Sequence, residues 1–336
     1  MKKTLLTICL VWMCFSLSAQ KIIDLSGKWS FSIDRQDNGE KEKWFSHTLN
    51  DFINLPGSMP EKLKGDEVTA KTQWTGSLYD SSYYYNPYME KYRKEGNIKF
   101  PFFLTPDKHY VGAAWYQKEV NIPADWKGER ILLFLERPHI ETTVWVNGKK
   151  TGMQNSLCVP HQYDITRYVR PGKCTITIRV DNRIKEINVG PDSHSITDQT
   201  QGNWNGIVGR ICLQTTPKTY FDDIQIYPEP EQKLARVKVV IKGTGTAKVK
   251  LSAESFNTDK KHIVPAIQQE IKLNKGVTET EMVLPMGNDM LLWDEFHPAL
   301  YKLKAEVTNG KKTEIKEIQF GMRRFEIKGK WFYVNG

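Results

Sequence analysis

The stretch SITDQTQGNWNGIVGR, Ser195 to Arg210, concentrates the side chains best suited to holding a polyhydroxylated ligand. Asp198, Gln199, Gln201, Asn203 and Asn205 surround Trp204. Amides and a carboxylate exchange hydrogen bonds with hydroxyls, and an aromatic face lies against the C–H side of a sugar ring. From this group Asp198, Gln201, Asn203, Trp204 and Asn205 are the substrate-binding candidates. A structural alternative stays open: Gly206 and Gly209 flank a strand start, so Trp204 can serve as a buried plug between domains while the amides satisfy loop backbone.

Other reactive-looking groups point to no chemistry. Asp66-Glu67 and Asp294-Glu295 are adjacent carboxylates, and neighbours on a strand face opposite ways while those on a turn point into water. His194 sits among Asp192, Ser193 and Asp198, but neither a nucleophile elbow nor an oxyanion hole flanks it. Cys158, Cys174 and Cys212 lack the close spacing of a zinc site and read as small apolar residues in strands, with a single disulfide left open. Asp164 and Thr166 in YDIT set a turn. Asn182 is near enough to the polar loop in the pattern to reach it, but carries no assignment. No catalytic residue, metal ligand or cofactor is expected.

The elements that must position the polar loop are strands. Helical periodicity is almost absent, whereas short alternating stretches bounded by Gly, Pro, Asn and Asp recur. Between Ala114 and Asn182 these are WYQKEVNIP, ERILLFLERP, TTVWVNGKKTG, YDITRYV and CTITIRVDN. Asn147-Gly148 is a type I′ hairpin signal, since that turn needs positive φ at both central residues. Trp29, Trp115 and Trp145 fall on such strands and are expected in the core. Residues 51–108 break the pattern with Pro, Gly and Tyr, and a loop region this long is expected to be functional or to lie against a neighbour. After Pro230 about seven lysine-rich alternating stretches fit a second sandwich, with YPEPEQK as the linker.

Residues 1–19 read as a signal peptide: Lys2 and Lys3, an apolar run from Leu5 to Phe15, and a small-residue site at Leu17-Ser18-Ala19. The run is too short to span a bilayer, so a periplasmic or secreted protein is expected. The formal charge is +9, and +7 without Lys2 and Lys3. Lysines interleave with acids along the chain, which excludes a nucleic-acid stripe and leaves a mildly basic, solvated surface.

LSGKWSF, LPGSM, AAWYQKEVNIP, VWVNGKKTG, PHQYDITRYVRPGKCTITIRVDN and GNWNGIVGRICL follow in an order that resembles glycoside hydrolase family 2, the β-galactosidase and β-glucuronidase superfamily. LWDEFHPALYKLKAEV resembles the last strands of that family's immunoglobulin-like domain, and FGMRRFEIKGKWFYVNG its hairpin entering a catalytic barrel. The resemblance implies an all-β chain: a jelly-roll sugar-binding domain at 20–228, an immunoglobulin-like β-sandwich at 229–319, and at 320–336 the start of a (β/α)₈ barrel. It also implies that the polar loop approaches the barrel mouth and helps shape a sugar subsite.

Family members hydrolyse β-glycosides with retention, using two glutamates, the acid/base one following an asparagine. No Asn-Glu dipeptide occurs in these 336 residues. The expectation is therefore the non-catalytic front of an exported glycosidase, truncated before its barrel and inactive alone. Its partners are a β-glycoside or oligosaccharide and the barrel, with neither nucleic acid nor membrane. The alternatives are a stand-alone carbohydrate-binding module and a purely structural export protein. The closing hairpin discriminates, because a free-standing module has no use for one that enters a barrel.

Overall fold

The structure of the chain, a computed structural model, describes residues 21–76, 81–100, 104–185, 197–198, 202–274 and 276–336. The expected signal peptide, His194 and Gln201 lie outside the described residues. The chain divides into two compact units, with the boundary along the sequence between Thr215 and Thr216, and both are built from strands.

In the first unit the strands are β1 (Ile22–Asp24), β2 (Gly27–Asp34), β3 (Asp51–Leu55), β4 (Gly57–Ser58), β5 (Asp66–Glu67), β6 (Lys108–His109), β7 (Ala113–Ile122), β8 (Arg130–His139), β9 (Glu141–Val146), β10 (Lys149–Asn155), β11 (His161–Asp164), β12 (Gly172–Asp181) and β13 (Gly206–Thr216). One sheet runs β10-β9-β12-β7-β2-β3, antiparallel throughout; the other runs β1-β13-β8-β11, with β4 added to β13.

Period-two alternation explains how the long sheet is covered on both faces. Tyr116, Val144, Val146, Ile176 and Ile178 point to the main core with Trp29 and Phe31. Trp115 and Trp145, one residue out of phase, point to the opposite face, where Leu49, Trp44 and Phe45 close over them. All three expected tryptophans are thus buried, each such ring stabilising by roughly 1.5–3 kcal/mol. The indole N–H of Trp115 donates to Asp34 at 2.9 Å. The Asn147-Gly148 turn has the positive φ its type requires, and Asp164 holds Thr166 in its turn through Oδ1.

The tyrosine-rich stretch forms a small core of its own around a single helical turn, α1 (Ser82–Tyr85). Tyr83 is fully buried against Phe100, with Trp74, Met89, Tyr92 and Ile98 around them. Tyr85 and Tyr88 stay exposed. The stretch therefore folds on itself, with only part of the cluster covered.

The second unit pairs the sheet β14 (Tyr220–Glu229), β15 (Leu234–Lys242) and β18 (Val277–Pro285) with a sheet of β16 (Gly245–Phe256), β17 (Ile263–Leu273), β19 (Leu300–Asn309) and β20 (Lys312–Phe320), ordered β17-β16-β19-β20. In LARVKVVIK every second residue, including Val237, Val239 and Ile241, is buried. This moves the domain boundary. The YPEPEQK segment is no linker but the turn of the β14–β15 hairpin, with Pro228 paired to Ala235 and a 3₁₀ turn at Pro230–Gln232. β14 accordingly belongs to the second sandwich. The physical reason is that proline is tolerated at strand ends and turns, so two prolines mark a hairpin as readily as a linker.

The strands β21 (Phe325–Lys328) and β22 (Trp331–Val334) form the expected hairpin, with Phe325, Ile327, Trp331 and Phe332 exposed. Asp66 and Glu67 lie on the surface, paired with Arg35 and Lys108. Asp294 accepts from the backbone of Phe296 and His297 in a turn. Among the described residues the three cysteines form no disulfide.

Candidate functional site

The polar loop enters β13 through Gly206, and the local sequence leaves no choice of residue there. A Cβ at Gly206 would stand 2.5 Å from the carbonyl oxygen of Gly57, at φ +147°. The close approach arises because β4 of the LPGSM motif pairs with Gly206 and Ile207, while the Met59 amide donates to the Asn205 carbonyl at 2.7 Å. Two motifs about 150 residues apart thus meet on one edge. Gly206→Ala is expected to destabilise the first unit by about 1–3 kcal/mol, measured by urea unfolding; an unchanged midpoint would refute the close contact.

Among the described residues of the loop, Asp198, Asn203 and Asn205 turn inward. Asp198 is 1% exposed; its Oδ2 accepts from the Thr75 amide at 2.6 Å and lies 3.4 Å from His109 Nε2, while Oδ1 accepts from the Asn203 amide. In return the Asp198 amide donates to the Thr75 carbonyl at 2.9 Å. Asn203 donates through Nδ2 to Thr75 Oγ1 and to the Asn182 carbonyl, and accepts at Oδ1 from Asn182 Nδ2 at 3.0 Å. Asn205 is fully buried: its Oδ1 accepts from the Tyr116 hydroxyl at 2.8 Å and its Nδ2 donates to the carbonyls of Gly112 and Val180 at 2.9 Å each.

These three residues therefore spend their hydrogen bonds on the protein. Satisfied buried amides and carboxylates rigidify a loop because leaving any one unpaired is costly. They link the loop to the tyrosine-rich stretch through Thr75, to the end of β12 through Asn182 and Val180, and to β7 through Tyr116. Of the four described candidates, Trp204 alone retains an accessible surface, being half-buried.

Beneath Trp204 lies His139, at the end of β8. Their rings stack at 4.6 Å between centroids with planes 21° apart, and His139 Nδ1 is 2.6 Å from the Trp204 carbonyl oxygen. A carbonyl only accepts, so Nδ1 carries the ring proton. Burial pushes the imidazole down to about 4, against the opposing pull of the Trp204 carbonyl and of the Asp198 charge. The ring is accordingly neutral at physiological pH.

His109, Thr75, Tyr116 and His139 carried no sequence signal; each is an isolated polar residue in a strand or loop whose role depends on a distant partner. Asn182 does reach the loop, through Asn203. Among the described residues no group of His, Cys, Asp and Glu is arranged to hold a metal ion. No helix among them is long and apolar enough to cross a membrane.

Residues 22–217 match the family model described as "Glycosyl hydrolases family 2, sugar binding domain", and residues 219–323 the model "Glycosyl hydrolases family 2". The chain is 24% identical to a β-glucuronidase of Paenibacillus borealis over 94% of this chain and 48% of that protein. It is 23% identical to a β-galactosidase large subunit of Latilactobacillus sakei, over 93% and 48% respectively. Among solved structures, a β-glucuronidase of an uncultured Clostridium species superposes with a TM-score of 0.62 at 22% identity, covering 95% of this chain and 47% of that one. The chain spans about half the length of the curated relatives it matches.

Proposed function

Because the chain belongs to glycosyl hydrolase family 2, we propose that it is the non-catalytic front of an exported β-galactosidase-like glycosidase, supplying one wall of a sugar site. The two glutamates that hydrolyse the glycoside with retention, about 5–5.5 Å apart in such enzymes, belong to a barrel partner. The reading rests on one observation above others: Asp198, Asn203 and Asn205 are locked into the protein, while Trp204, stacked on His139, keeps part of its surface accessible. An aromatic face held still stacks on a pyranose ring at low entropic cost. The apolar face of the β21–β22 hairpin supports the same reading, being suited to packing on a barrel. Export rests on the pattern of residues 1–19.

Methyl β-D-galactopyranoside is expected to bind the chain weakly, with a Kd of about 1 mM, or roughly −4 kcal/mol, read by saturation-transfer NMR. Trp204→Ala should weaken it by about tenfold, the worth of roughly one ring stack. Chromogenic β-glycosides should not be turned over. Equal binding by wild type and Trp204→Ala would sink the sugar-wall reading, and steady turnover would sink the assignment of catalysis to the barrel.

A further inference from the structure

Resting on that reading, we propose that His139 is a second sugar-binding residue beside Trp204, accepting a hydrogen bond from a ligand hydroxyl at Nε2, so that this wall selects a neutral hydroxylated edge over a carboxylate. The argument begins with the tautomer. The Trp204 carbonyl fixes the proton on Nδ1, which leaves Nε2 with a lone pair. Among the described residues Nε2 has no hydrogen-bond partner, and it is not among the buried side-chain atoms left without one. The same holds for the indole Nε1 of Trp204. Two stacked rings thus offer one donor and one acceptor, the two roles that a sugar hydroxyl can meet.

Charge decides what this pair rejects. His139 is neutral, and the charge that acts on it is the Asp198 carboxylate. Among the described residues no lysine or arginine hydrogen-bonds to either ring or stacks over the indole. A ligand carboxylate here would face an acceptor lone pair and a like charge, with no cation to offset its desolvation. A hydroxyl meets neither difficulty. The wall is therefore built for a galactoside- or glucoside-like edge, and any uronate group has to point elsewhere.

The test uses the 336-residue chain labelled with ¹⁵N-histidine and three probes: methyl β-D-galactopyranoside, methyl β-D-glucopyranoside and methyl β-D-glucuronide. In the free protein the His139 resonances should show the Nδ1–H tautomer. A neutral pyranoside should shift Nε2 upfield, as a lone pair does on accepting a hydrogen bond, and the glucuronide should bind about tenfold more weakly. His139→Asn keeps a donor for the Trp204 carbonyl, but its remaining acceptor, Oδ1, falls short of the Nε2 position; it should weaken the neutral probes by roughly five- to tenfold, with the longer His139→Gln partly restoring them. Binding that depends on Trp204 but leaves Nε2 unmoved overturns the His139 assignment and leaves the sugar wall standing. Glucuronide binding as tight as galactoside overturns the selectivity. Absence of any Trp204-dependent binding overturns both the wall and this inference.

Discussion

Asp198→Ala is expected to lower the thermal midpoint of the Lys21–Thr215 unit by roughly 10 °C. The carboxylate is the single acceptor for two backbone amides, that of Asn203 buried and that of Thr75 partly buried, and it faces His109. Each buried N–H left unpaired costs about 1–3 kcal/mol, so the loss is about 3–4 kcal/mol. For a domain of about 200 residues each kcal/mol moves the midpoint by about 2–4 °C. Asp198→Asn retains one carbonyl oxygen for two donors and should fall between wild type and alanine. Amide exchange locates the damage: protection at Thr75 and Asn203 should collapse in the alanine variant while β12 and β7 keep theirs. A midpoint within 2 °C of wild type, or unchanged protection at Thr75, would show that the loop is held some other way. On the proposed function the same variant separates two roles for Asp198, because a residue that merely positions Trp204 should weaken sugar binding only as far as the loop loosens.

Much of this was legible in the sequence, and the part that was not has a common cause. Alternation marks a strand because one face must be buried, so LARVKVVIK and CTITIRVDN announce themselves wherever they sit. Asn147-Gly148 announces its turn because few residues tolerate its backbone. Family membership followed from motifs kept in order. The polar loop was legible as composition, but Asp198, Asn203 and Asn205 turn inward because their partners are the Thr75 amide and the carbonyls of Gly112 and Val180. Backbone groups are identical in every residue and leave no trace in the pattern. For the same reason His139, whose partner is a carbonyl, was invisible, and the prolines of YPEPEQK looked like a linker until pairing showed a hairpin.

Acid should weaken the first unit through a carboxylate at the end of β12. Asp181 is fully buried; burial would raise its carboxyl, but hydrogen bonds from Arg183 and Lys185 and the charge of Arg179 override it and hold it far below the usual carboxylate range. Asp37, joined to Arg179 and Arg183, is likewise lowered, though it is more exposed and screened. A carboxyl with a depressed folded pKa stabilises the fold fully above its unfolded value, near 3.9. That stabilisation is lost progressively as pH falls below it. For Asp181 the contribution at neutral pH is on the order of 2–3 kcal/mol. Asp181→Asn removes it and leaves Arg179, Arg183 and Lys185 with a neutral acceptor in place of a charge. At pH 7 the variant should be less stable than wild type by about 3 kcal/mol. The gap should then close by up to about 1.4 kcal/mol per unit below pH 4, as only the wild type carries the titrating group. Urea midpoints at pH 7, 4, 3 and 2 decide it: a gap constant down to pH 2 would mean that Asp181 acts by shape alone. Because Asn182, next to Asp181, donates to Asn203, the same titration predicts that acid loosens the anchorage of the Trp204 loop.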